Sequence, residues 1–95
     1  MRVVTRRAIE ALIEGRDITI DNTKVRGNTL FLHDNPIIEV REDGVYIQTC
    51  GWNTITTRER LNGLPKVRVY SHKRQLHLNG VPWDGNWIKV DTDLR

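Results

Sequence analysis

The chain has 95 residues, with 15 Lys and Arg against 12 Asp and Glu, a net charge of +3. That length fits one domain over 1–95 with a modest core, and 38% hydrophobic with 28% charged residues excludes a disordered tail. No apolar run nears the roughly 20 residues of a membrane span, and the N-terminal stretch lacks the apolar segment of a signal peptide. With Cys50 as the one cysteine, no internal disulfide can form, and a reducing, cytoplasmic setting is expected.

Residues 3–14 carry Val4, Ala8, Ala11 and Leu12 at helical spacing, widened by Ile9 and Ile13. Arg6, Arg7, Glu10 and Glu14 fall on the other side, and Gly15 stands where a helix ends. From Asp17 to Thr49 the period changes to two. Ile18 and Ile20, Leu30 and Leu32, Ile38 and Val40, and Val45 and Ile47 alternate with polar neighbours, as strands with one buried face do. Asn22, Gly27-Asn28, the expected loop Asp34-Asn35-Pro36, and Glu42-Asp43-Gly44 punctuate them. Connections this short join antiparallel neighbours, so a meander is expected.

Thr56-Thr57-Arg58-Glu59 has the form of a capping box, and Gly63-Leu64-Pro65 supplies a stop. A short helix near 57–63 follows, with Thr57, Leu61 and Leu64 inward and Arg58, Glu59 and Asn62 outward. Arg60 falls at its flank. Lys66 to Ser71 reads as a strand with Val67 and Val69 on one face and Lys66, Arg68 and Tyr70 on the other. His72-Lys73-Arg74 is its turn, and Leu76 and Leu78 return inward with His77 outward. Asn79-Gly80 is the strongest two-residue hairpin signal. Pro82 marks an edge or loop, Asp84-Gly85 a further turn, and Trp87 to Val90 a last strand. Asp91 to Arg95 reads as a frayed end. The fold class is α+β: an N-terminal helix on a mainly antiparallel, meander-type sheet of about six strands, with a short second helix.

Charge is uneven along this chain. Arg58 to His77 holds six basic residues and one acid, Glu59, hence +5; the remaining nine basic and eleven acidic residues give −2. Clustered cations bind phosphates, and a ring such as Tyr70 adds base stacking. Arg58, Arg60, Lys66, Arg68, Tyr70, Lys73, Arg74 and His77 are therefore the candidate binding residues. The same cations also serve to solubilise an exposed strand or to meet an acidic protein surface. Trp83 and Trp87, flanking Asp84-Gly85-Asn86, are the candidate interface anchors, since Trp is enriched in binding hot spots. The ordinary place for a Trp in so small a chain is nevertheless the core.

No catalytic residue, metal site or cofactor is expected. Cys50 with His33, His72 and His77 matches no zinc spacing, and no phosphate loop, GxSxG or HExxH is present. Cys50 reads as a small buried residue. A non-enzymatic binding protein follows, with nucleic acid or an acidic protein surface as partner and a free edge strand open to pairing in a homodimer.

The stretch Thr56 to Tyr70, TTRERLNGLPKVRVY, followed by LNGVPWDGNW from Leu78 to Trp87, resembles a segment of small tailed-phage accessory proteins. The resemblance covers the C-terminal third to half. It implies a protein working in the cytoplasm of an infected bacterium, bound to nucleic acid or blocking a host defence or transcription complex. It implies no catalytic residue.

Overall fold

The computed structural model describes residues 2–93. Helix α1 is Val3–Glu14, with Thr5, Ala8, Ile9, Ala11 and Leu12 buried and the four charged residues exposed. Val4 is half-buried and Ile13 exposed, so the inward stripe is narrower than the spacing suggests. Gly15 ends the helix in the left-handed region at φ 70°. Its N–H donates to the Leu12 carbonyl and that of Arg16 to Ala11, a Schellman end that glycine adopts without strain.

Five strands follow as a meander: β1 Ile18–Ile20, β2 Thr23–Arg26, β3 Thr29–Leu32, β4 Asn35–Arg41 and β5 Gly44–Ile47. Each pair is antiparallel and joined by two residues. The register aligns Ile18, Val25, Leu30, Ile38 and Ile47 as one row across the inner face, with Leu32 and Val45 in the rows beside it. The β1–β3 part of this row lies under α1 and β4 meets α2, and each fully buried side chain contributes about 1.5–3 kcal/mol. The expected loop at 34–36 is instead the start of β4. The turn is His33-Asp34, both at positive φ, and Pro36 sits opposite Phe31 at a bulge. A bulge tolerates the missing N–H of proline. The Pro36 carbonyl accepts from the Gln48 amide and the Cys50 thiol, and Cys50 is half-buried rather than enclosed.

Helix α2 is Ile55–Leu61, shifted two residues towards the N-terminus from its expected start. The expected capping box does not form. Thr54 is the cap, accepting from the Thr57 amide at 3.1 Å. Glu59 turns instead to α1, accepting from the Arg2 amide at 3.2 Å and from the Thr5 hydroxyl. The first turn of α1 has no acid of its own, and Glu59 supplies one at the positive end of the helix. Gly63 is not a left-handed cap either. A Cβ there would lie 2.6 Å from Thr5 Cγ2 and 3.0 Å from Ile9 Cγ1, so this glycine lets the end of α2 touch α1.

The basic hairpin is not part of the main sheet. β6 Val69–His72, β7 Gln75–Leu78 and β8 Val81–Pro82 form a separate three-stranded antiparallel sheet with β8 at its edge. β9, Ile88–Val90, returns to pair with β5 and completes the six-stranded sheet β1-β2-β3-β4-β5-β9. The two sheets and both helices share one core, in which Val69, Leu76 and Leu78 join Leu61, Leu64 and Ile37. Asp91 to Asp93 do not fray: Thr92 donates to the Pro65 carbonyl at 2.6 Å. Leu94 and Arg95, the rest of the expected frayed end, lie outside the described residues. Among the described residues no helix is long and apolar enough to cross a membrane.

Candidate functional site

The six cations of the basic segment separate into three groups. Arg60 is buried, 3% exposed. Its guanidinium donates to Thr5 Oγ1 at 2.8 Å, Thr23 Oγ1 at 3.0 Å and Asn22 Oδ1 at 3.3 Å, and pairs with Glu59 at 2.5 Å. It links α1, α2 and β2 and is no surface ligand. The spacing suggests the helix flank, but Arg60 stands three residues after Thr57 and beside Leu61 on the buried stripe of α2, where the hydroxyls of Thr5 and Thr23 and the Asn22 side chain receive its guanidinium. Lys66 is not on a strand face. It sits in the turn before β6 at φ 64° and reaches Asp93 at 3.4 Å.

Arg58, Arg68, Lys73 and Arg74 remain. None takes part in an ion pair among the described residues. One nitrogen of the Arg58 guanidinium, Nη1, donates to the Asn53 carbonyl at 3.1 Å and to the Asn53 side-chain oxygen. It lines a groove between α2 and β6 with Ile55, Asn62 and Tyr70. Arg68 lines a second hollow with Tyr70, Asn79 and Gly80. Tyr70 is common to both, so Arg58 and Arg68 flank one ring.

That ring is the centre of an exposed sheet face. Tyr70 and His77 are direct cross-strand partners, their rings parallel within 3° and 5.0 Å apart. His72 meets the edge of His77 at 6.5 Å. The opposite face of the same sheet buries Val69, Leu76 and Leu78, which fixes the aromatic face outward. Lys73-Arg74 closes the hairpin with φ 50° and 66°, a type I′ turn built from two long cations instead of Asn-Gly. At about 3.3 Å per residue the turn begins some 10 Å beyond Tyr70. Asn62 secures the platform to α2, donating to the Val69 carbonyl at 2.8 Å and accepting from the Val69 amide at 2.6 Å.

The tryptophans differ from expectation. Trp83 is 7% exposed and its indole donates to the Asn86 carbonyl at 3.0 Å, so it is a core residue and no anchor. Trp87 is half-buried, with the Arg41 guanidinium 5.2 Å from its ring centre on the outer face of the large sheet. Trp52 is the exposed one, at 56%. It follows Cys50 and Gly51, both at positive φ, and Cys-Gly-Trp gave no periodicity from which exposure could be read. His72, expected in the turn, belongs to the strand.

Burial pushes the Cys50 thiol above its ordinary value. Burial also acts to raise Glu59, but the Thr5 hydroxyl, the Arg2 amide and Arg60 together hold its carboxyl below the ordinary value. Among the described residues no three His, Cys, Asp or Glu side chains gather as a metal site.

A family model for the Kyanoviridae Gp96 protein matches residues 1–91. The chain belongs to that family. The match takes in both helices and all nine strands, so the phage kinship suggested by the C-terminal segment extends over the N-terminal helix and meander. Among its described residues this member of the family is a small α+β protein of two antiparallel sheets and two helices. No curated protein and no solved structure matches this chain.

Proposed function

We propose that this protein is a non-enzymatic phage accessory protein that binds single-stranded nucleic acid in the infected bacterial cell. One observation carries the reading: the outward face of the small sheet sets Tyr70 and His77 side by side, with Arg58 and Arg68 flanking and Lys73 and Arg74 at its end. Bases stack on aromatic rings whatever their sequence, and cations follow the phosphates between them. Duplex binding draws less support, because rings standing on a sheet need unstacked bases to meet them.

The test is fluorescence anisotropy with a labelled mixed-sequence single strand and the matching duplex. Wild type binds the single strand more tightly. Tyr70→Ala weakens that binding about 5- to 150-fold, as loss of one stacked base does. Equal binding to both forms, or a Tyr70→Ala variant that binds like wild type, overturns the proposal.

A second reading is a block on a host protein through the same patch. The exposure of Ile55 at 69% favours it, since an apolar side chain lining the same groove as Arg58 has the composition of an interface centre. Centred on an apolar side chain, its binding weakens less with salt than the binding of several phosphates does.

A further inference from the structure

We propose that the hollow beside Trp52 is a pocket for a single nucleobase. It has a volume of about 380 Å³ and lies between the β3–β4 end of the large sheet and the start of α2. Its floor is apolar, made by the buried side chains of Leu32 and Ile37. Thr49, Thr54, Thr56 and Thr57 form its walls; the Thr54 and Thr57 hydroxyls bond each other at 2.9 Å and that of Thr49 turns to the Gly85 carbonyl, which leaves the Thr56 hydroxyl and the Asn35 amide as the polar groups for a ligand. His33 and Asn35 stand at the mouth with Trp52. An apolar floor with a few convergent polar groups is the anatomy of a small-molecule site.

The occupant follows from three features. The volume is near the lower end of the about 300–1,000 Å³ typical of ligand pockets, which suits one ring system and excludes a dinucleotide. The lining contains no Asp, Glu, Lys or Arg, so it suits a neutral ring and offers nothing to a phosphate. A hydroxyl and an amide both donate and accept, matching the mixed edge of a base. The Trp52 indole supplies a stacking surface, the strongest available from any side chain.

Trp52 is held for that task. Its backbone N–H donates to the Thr49 carbonyl at 3.0 Å, and the thiol of Cys50, two residues before it, donates to the Pro36 carbonyl at 3.0 Å. The following Asn53 accepts from Arg58 and donates to Ser71 at 3.4 Å on β6. Cys50 is a non-glycine residue at φ 55°, a conformation that costs free energy and persists where its surroundings fix it. The Arg58 contact also places a cation next to the pocket's rim. Choosing a base over other neutral rings rests on the proposed nucleic-acid face; the pocket's preference for a neutral ring does not.

The experiment uses uncharged nucleosides, which need the pocket and make no use of the cations. The indole N–H resonances of Trp52, Trp83 and Trp87 are followed during titration to about 10 mM nucleoside, with inorganic phosphate and ribose as separate controls, at about 50 and 200 mM salt. At least one nucleoside shifts the Trp52 resonance saturably and equally at both salts, while Trp83 stays still and the controls do nothing. Trp52→Ala weakens the response, followed on the Leu32 methyls, about 5- to 150-fold. Thr56→Phe, which fills the hollow and keeps Trp52, does the same. The unmoved Trp83 resonance verifies that each variant is folded. No saturable shift with any nucleoside, or a shift that survives both variants, overturns the pocket. Oligonucleotide binding without nucleoside binding overturns the pocket and leaves the sheet face standing. Nucleoside binding without oligonucleotide binding upholds the pocket and overturns the sheet face.

Discussion

Replacing Arg60 by alanine removes a guanidinium that is 3% exposed and leaves its partners buried. Thr5 and Thr23 are fully buried, so their hydroxyl oxygens lose donors that water cannot replace. Glu59, whose side chain is 20% exposed, loses its countercharge. Breaking a buried ion pair from one side costs about 3–5 kcal/mol. Glu59 keeps the Thr5 hydroxyl, the Arg2 amide and some solvent, which puts Arg60→Ala at the lower end, about 3 kcal/mol. For a chain of this length that lowers Tm by about 12–24 °C. Urea unfolding followed by circular dichroism measures it, with Arg68→Ala as the control. Arg68 is exposed and its loss falls within about 0.5 kcal/mol. The double change Glu59→Gln/Arg60→Met recovers part of the loss, because a buried pair replaced by matched uncharged groups leaves no orphan charge. An Arg60→Ala variant within about 0.5 kcal/mol of wild type refutes the buried-hub account and returns Arg60 to the candidate surface.

Three other outcomes follow from the same geometry. Gly63→Ala drives a methyl into Thr5 and Ile9 and costs about 1–3 kcal/mol in chemical unfolding, although its backbone is not left-handed. Lys73→Asn/Arg74→Gly relieves a type I′ turn made of two side chains that rarely adopt it, raising stability by about 1–2 kcal/mol while weakening nucleic-acid binding; thermal melts and anisotropy read the two effects. Glu59 gives the pH dependence. Its folded-state carboxyl lies below the ordinary value of 4.5, so its contribution is present above that pH and is lost as pH falls through the folded value. The stability gap between wild type and Glu59→Gln is therefore constant near neutrality and closes on acidification below about pH 4.5, in urea midpoints measured across that range.

The fold was legible where hydrophobic period alone decides structure. Period 3.6 gave α1 and its end at Gly15, and period two gave the inner face from Ile18 to Ile47, because each pattern buries one continuous side. What local pattern could not supply were contacts made across the fold. Thr56 and Glu59 have the spacing of a capping box, but Glu59 is stabilised more by the open N-terminus of α1, 57 residues away. Gly63 resembles a helix stop and serves a helix crossing. Arg60 and Arg68 look alike in sequence and have opposite fates, since Arg60 shares the buried stripe of α2 with Thr57 and Leu61, where hydroxyls from α1 and β2 receive it, while Arg68 lies exposed before β6. The candidate site was legible in its second half, Arg68 to His77, where strand alternation fixes which side faces out. It was not legible at Trp52, whose exposure depends on a left-handed Cys50-Gly51 pair and on bonds to Thr49 and Asn53.

The salt dependence of single-strand binding tests the central claim most directly. Four free cations, Arg58, Arg68, Lys73 and Arg74, contacting one phosphate each give a slope of about −2.8 in log K against log salt, at about −0.7 per phosphate. Between about 50 and 200 mM salt the affinity then falls about 50-fold, and Arg68→Glu/Arg74→Glu reduces the slope to about half or less. A slope near zero, or one that the double variant leaves unchanged, contradicts the account and directs the search to a protein partner for Trp52 and Ile55.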